Sequence, residues 1–394
     1  MKITEVSAIP ISIPLTALCR MGHGVMPGRK IRTILQVKTD DGYTGFGEVE
    51  GNKADSINFM KKWVLGHDPF QIEKLRWKIA APVYSNEQIA QEEIFAAFEF
   101  AMLDIQGKVL GRPVHDLVGG KMRDKVSFTA YLFFRYAKNG EGGESTPQEL
   151  VEEAKSFVSK HGFQTLKLKA GVFNPEVDVE TIRLLRKTFP EKKIRLDPNA
   201  VWSPETSIKI GKKLEKYDIE YYEDPCFGIE GMAKVTRKVN IPTCTNIIVR
   251  TFKDLPAVIR LKAVDIIHSD PHRFGGIRAA VQLSKICEVF NLGQSMHSGF
   301  ETGISLAAMI HTAATWPSQP YAIDSTYEHL EDDILVKPFH FEEGQIEVPS
   351  GPGLGVEIDQ GKVQIYAEAY KREGPFLSWE DPRQPEWHQL SPRW

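Results

Sequence analysis

The stretch "TLKLKAGVFNPEVDVETIRLLRKTFPEKKIRLDP", residues 165–198, decides how the chain is read. A short alternating run, TLKLK, gives way to an amphipathic one, EVDVETIRLLRKTFP, and then to a second short run, KIRLDP. A period of two passes to a period of 3.6 and back, which spells strand, helix, strand. Thr165, Lys167 and Lys169 fall on one face of the first strand, so two ammonium groups share a side. A solvated face would explain them, and so would a tuned base.

The same unit recurs on either side. VSFTAYLFF precedes TPQELVEEAKSFVSKHG, IEYYEDP precedes EGMAKVTRKVN, and IPTCTNI precedes DLPAVIRLK. AVDIIHSDP precedes GGIRAAVQLSKICEVFN, LGQSMHS precedes ETGISLAAMIHTAAT, and PYAIDS closes the series. About eight strands with helices between them predict a (β/α) barrel over 126–335. A doubly wound open sheet fits the alternation too, but wants a nucleotide fingerprint that is not found. Before the barrel, residues 1–125 read as strands with a DDG hairpin and then helices, an α+β unit. After it, GLGVEID reads as a return strand, and the Pro- and Trp-rich tail GPFLSWEDPRQPEWHQLSPRW as an irregular extension.

Bulk composition excludes several classes. The 394 residues are 42% apolar and 26% charged, with a net charge of −3. Nucleic-acid binding would want a basic balance, so no nucleic-acid partner is expected. No apolar run reaches the roughly 18 residues of a membrane span, and the start lacks the apolar core of a signal peptide. Cys19, Cys226, Cys244 and Cys287 show neither disulfide nor zinc spacing. The expected setting is the cytoplasm.

Polar residues stand at the C-terminal end of each expected barrel strand: Lys169, Asp197, Glu223, Asn246, Asp270, His297 and Asp324. The steps between them are 28, 26, 23, 24, 27 and 27 residues, each about one βα unit. Residues so spaced share one level of a barrel rim, where barrel active sites are built. Singly, each has a plain explanation: Asp197-Pro198 and Asp224-Pro225 as turns, Asn246 as a cap, His297 as a structural histidine. Asp197, Glu223 and Asn246 offer three hard oxygen donors, which suit Mg²⁺ better than zinc. Asp270 can hold the His297 imidazole. A divalent ion flanked by a lysine and a histidine is suited to removing the proton next to a carboxylate, the ion carrying the enediolate charge.

These motifs resemble the enolase superfamily in its mandelate racemase/muconate lactonizing branch, and within it the glucarate dehydratases. The resemblance rests on KLK (167–169), LDPNAVWS (196–203), YYEDPC (221–226), CTNII (244–248), SDPH (269–272), MHSGFETGISLA (296–307), AID (322–324) and GPGLGVEID (351–359). It implies a (β/α)7β modified TIM barrel with a capping domain formed by 1–125 and completed by 336–394, and a homo-oligomer. It implies Mg²⁺ on Asp197, Glu223 and Asn246. Lys169 would be the base on one face, with Lys167 lowering its pKa and touching the substrate carboxylate. His297, paired with Asp270, would serve the other face. Asn199, Tyr131, His23 and Arg29 would contact an acid sugar, Asp324 would support the acid/base side, and Arg372 is the candidate C-terminal arginine. An asparagine as third ligand is typical of glucarate dehydratases and keeps the loaded site neutral toward a diacid. Their usual HSNN reads His297-Ser298-Gly299-Phe300 here, which removes an asparagine near the leaving group. Dehydration of an acid sugar, racemisation by the same two bases, and non-catalytic binding of Mg²⁺ and acid sugars are the three readings.

Overall fold

A computed structural model describes residues 1–80, 87–376 and 380–394. The parts of the expected helical stretch and of the tail at 81–86 and 377–379 lie outside the described residues. Eight parallel strands form a nearly closed barrel: Lys125–Phe133, Thr165–Lys169, Lys193–Asp197, Tyr221–Glu223, Thr243–Thr245, Ile266–His268, Gly293–Ser295 and Ile323–Ser325. The eighth pairs with the first, Asp324 opposite Thr129, so the sheet curls on itself. Helices follow the strands, and several carry side-chain caps. Thr146 and Glu149 form a reciprocal capping box at the helix Pro147–His161, and Asn174 and Ser203 cap the next two. No described helix is long and apolar enough to cross a membrane, and the four cysteines are free and buried.

Strand alternation sorts the barrel side chains. Leu166, Leu168, Ile194 and Leu196 point outward into the apolar core beneath the helices. Their neighbours Lys167, Lys169, Arg195 and Asp197 point inward and are buried. The barrel interior is therefore ionic over most of its height, and each charge is paired. Arg195 donates to Glu220 at 2.6 Å and to Thr129 at 2.6 Å, and lies 3.2 Å from Asp324.

The N-terminal unit is an antiparallel sheet of Ile3–Pro14, Arg29–Thr39 and Thr44–Glu50, with the helix Glu87–Leu110 packed on it. Residues 336–394 serve both units: Gln345–Glu347 pairs with the first barrel strand, whereas the helix Gln360–Glu373 packs on Ile3–Pro14. Two glutamates of the N-terminal unit plug into barrel helices. Glu48, fully buried, accepts from the backbone N–H of Thr302 and of Ser305, both at 2.9 Å, at the start of the helix Gly303–Thr315. Glu99 sits at the start of the helix Ile277–Phe290, where a Cβ at Gly276 would collide with its carboxylate. A carboxyl of the chain itself thus sits at the first turn of that helix, its pKa raised to about 7 by burial.

Candidate active site

The barrel mouth opens into a cavity of about 410 Å³, whose walls include Lys169, Asn199, Asn246, His297, Tyr131, His23, Lys30 and Arg273. Its size suits a small polar ligand. A larger groove of about 510 Å³ beside Lys125 and His340 contains none of the strand-end residues.

On one side, Lys169 ends the second strand with its ammonium against the Asp197 carboxylate. On the other, His297 follows the seventh strand. Asp270 fixes it twice, accepting from the His297 backbone N–H at 2.8 Å and lying 3.3 Å from ring Nδ1. Burial lowers the His297 pKa below the ordinary imidazole value, and Asp270 opposes the shift. Asp270 itself is buried, yet the contact with His297 holds it well below the usual carboxylate range. The backbone beyond His297 is pinned: Ser298 donates to Glu301 at 2.7 Å, and the Phe300 N–H donates to Thr326 at 2.7 Å. Phe300, Asn199, Ala200 and Asp224 all have positive φ, a cluster of strained backbone around one site.

Between the two sides lie the oxygen donors. Asn199 donates to Asp197 through its backbone N–H at 2.8 Å and its amide at 3.2 Å. Asp224 is turned away from the cavity and bonds Thr245 and the Asn246 N–H. The carboxamide oxygen of Asn246 faces Asp224 Oδ2 at 2.9 Å and Glu223 Oε1 at 3.3 Å; a turned amide would hydrogen-bond both. Oxygens crowded together in this way also suit a cation between them, and Asp197, Glu223 and Asn246 are the hard donors Mg²⁺ takes. The residues present fit the ion. Glu223, Cys244 and His268 also place ligand atoms within 4.8 Å of one another. There, however, Glu223 Oε2 is already taken up by Lys167 at 2.5 Å and His268 at 2.8 Å, which leaves Oε1, the oxygen that faces Asn246, for a cation.

Several expected residues are placed otherwise. Lys167 shares the face of Lys169 but lies one layer deeper, fully buried and outside the cavity walls. It pairs with Glu223 at 2.5 Å and Asp324 at 2.6 Å, with Asp197 at 3.8 Å. Burial alone would lower its pKa, but these carboxylates outweigh it and hold Lys167 above the ordinary lysine range. It is a buried cation beneath the cavity, held by the carboxylates around it. Asp324 belongs to the same layer, accepting from Tyr131 at 2.9 Å and from Arg195 at 3.2 Å. Arg29 points away from the mouth, to the carbonyl of Gly374 at 2.9 Å and to Ser12 at 3.3 Å. Arg372 is 71% exposed and pairs with Glu373. In their place stand residues the sequence did not single out. Lys30 and Arg273 meet at Glu50, each at 2.5 Å, and His268 holds Glu223 Oε2 at 2.8 Å. His268 lies two residues before Asp270 on the same strand face, a signal that alternation does carry. Gln389 and Ser391 of the tail border the cavity, anchored by the Arg393 N–H on the Val201 carbonyl at 2.7 Å.

Residues 149–362 match the family model "Enolase C-terminal domain-like", and residues 20–119 match "Mandelate racemase / muconate lactonizing enzyme, N-terminal domain". A probable glucarate dehydratase of Streptomyces coelicolor is 35% identical over 100% of this chain and 99% of its own. An L-Ala-D/L-Glu epimerase of Clostridium acetobutylicum is 27% identical over 89% of this chain and 96% of its own. Among solved structures, an enolase of Mycobacterium smegmatis complexed with tartrate superposes with a TM-score of 0.93 at 35% identity, covering 100% of this chain and 98% of that one. Another, from Pseudomonas fluorescens with bound magnesium, potassium and tartrate, gives 0.91 at 33% identity, covering 100% and 99%. The chain belongs to the enolase superfamily, in its mandelate racemase/muconate lactonizing enzyme branch.

Proposed function

We propose that this enzyme is a Mg²⁺-dependent acid-sugar dehydratase. The observation that carries the reading is the pair of proton-transfer groups, Lys169 and the His297–Asp270 pair, lining one cavity with the oxygen donor Asn246 between them. The dehydratase relative and the tartrate and magnesium of the structural neighbours support the substrate class and the ion. Mg²⁺ on Asp197, Glu223 and Asn246 would carry the charge that develops on the substrate carboxylate. Lys169 takes the α-proton from one face, or neutral His297 takes it from the other, according to the configuration at that carbon. The β-hydroxyl leaves as water and takes its proton from His297, which carries the abstracted α-proton when it is the base and must enter already protonated when Lys169 is; the enol then becomes a 2-keto acid.

A screen of mono- and diacid sugars with Mg²⁺ is expected to give 2-keto acid from at least one, lost on chelation and restored by added Mg²⁺. Inversion with α-proton exchange and no carbonyl product would make it an epimerase instead, as one relative is. Absence of either reaction across the screen would leave only the binding reading.

Asp270→Asn gives a pH test. Asp270 raises the His297 pKa by hydrogen bond and by charge, so its loss lowers that pKa further. Where His297 must be neutral, the acidic limb of kcat/KM moves to lower pH, and kcat falls by about 10–100-fold. A limb that stays in place would mean that another group titrates there.

A further inference from the structure

The cavity wall opposite the metal ligands carries charge that the reaction described above does not use. Lys30 and Glu50 come from the N-terminal unit, and Arg273 follows the sixth barrel strand. Glu50 bridges the two cations, 2.5 Å from Lys30 Nζ and 2.5 Å from Arg273 Nη2. Within this trio two cations face one carboxylate, and Asp270 and Glu93 also act on Arg273. The hydrogen bonding is incomplete. Among the described residues, the one hydrogen bond of the nearly buried Lys30 ammonium is to Glu50, and Arg273 Nε is buried with no partner. His23, beside them, has its pKa pushed down to about 4 by burial and then by Lys169, Lys30, Arg273 and His297, so it adds no charge of its own.

Gly299 falls into place beside this cluster. Its backbone is not left-handed, so conformation does not demand glycine. Space does not demand it at the first atom either: a Cβ there would lie at ordinary contact distance, 3.4 Å from Arg273 Nη2 and 3.7 Å from His297 Cε1. The further atoms of an asparagine would compete with the guanidinium for the same volume.

We propose that Lys30 and Arg273, held by Glu50, form the subsite for a second carboxylate at the substrate end remote from Lys169 and His297. The enzyme then selects dicarboxylic acid sugars over monoacids. A terminal hydroxymethyl group would leave the free N–H donors unsatisfied, whereas a carboxylate accepts from both cations. The proposal rests on the acid-sugar reading of the same cavity.

Calorimetry with Mg²⁺ on matched pairs, D-glucarate against D-gluconate and galactarate against D-galactonate, tests it. At least one diacid is expected to bind about tenfold or more tightly than its monoacid, the scale of one charge-assisted contact. Lys30→Met and Arg273→Met are each expected to bring that ratio close to one, and Lys30→Arg to retain it. A wild-type ratio near one in both pairs, or a ratio surviving both variants, overturns the subsite. An equal loss for diacid and monoacid makes the cluster a structural brace and overturns it too. Failure of the dehydratase reading looks different: the ratio is present but no 2-keto acid forms.

Discussion

Lys169→Met is expected to lower kcat by ~10³–10⁴-fold for a substrate whose α-proton lies on the Lys169 face, the range for losing a positioned proton-transfer group. Methionine keeps the apolar stem and most of the volume, and Asp197 retains the two hydrogen bonds from Asn199. The fold and the diacid affinity therefore survive in large part, and the loss falls on the chemical step. Isotope exchange separates the two faces. In His297→Asn, exchange of the α-proton through Lys169 should persist while elimination stops. In Lys169→Met, only the face served by His297 should exchange. Turnover of such a substrate by Lys169→Met within tenfold of wild type would remove Lys169 from proton transfer.

Lys167→Met is expected to destabilise the protein by about 3–5 kcal/mol, the cost of stripping one partner from a buried ion cluster. The ammonium is fully buried and faces Glu223 and Asp324 at 2.5 and 2.6 Å. Without it Glu223 keeps His268 at 2.8 Å, and Asp324 keeps the Tyr131 hydroxyl at 2.9 Å and Arg195 at 3.2 Å. Adding Asp324→Asn removes one stranded charge, so the double variant should recover part of the loss. Urea unfolding midpoints with unchanged slopes measure both. A single-variant loss under ~1 kcal/mol would mean that the cluster is not the charged buttress its geometry suggests.

The barrel was legible because its strands and helices differ in period and repeat at nearly constant spacing. The rim was legible because strand ends of a barrel share one level, so Asp197, Glu223, Asn246 and His297 could be placed from spacing alone. Depth was harder to read. Lys167 and Lys169 were assigned correctly to one face, but two residues along a strand are 6–7 Å of height, enough to take Lys167 out of the cavity. Arg29 was misplaced because it was read as part of a loop over the mouth, whereas it begins a strand. It and Lys30 are neighbours in the strand Arg29–Thr39, so they point to opposite sides. Arg29 turns to the helix Gln360–Glu373, and Lys30 turns inward to the cavity. The Lys30–Glu50–Arg273 cluster had no sequence signal, because it joins residues over 200 positions apart through the packing of one unit on the other.

The seating of Glu48 and Glu99 bears on how this architecture can be recombined. Each seats a carboxyl at the first turn of a barrel helix, and those helices follow the strands leading to Asp270 and His297. Replacing the N-terminal unit by one from a relative would leave two buried helix starts without an acceptor unless glutamates arrived at the same two positions. The barrel and its cover are thus not interchangeable parts. A chimera must inherit both sockets and both plugs, and specificity borrowed through a foreign cover comes with that constraint attached.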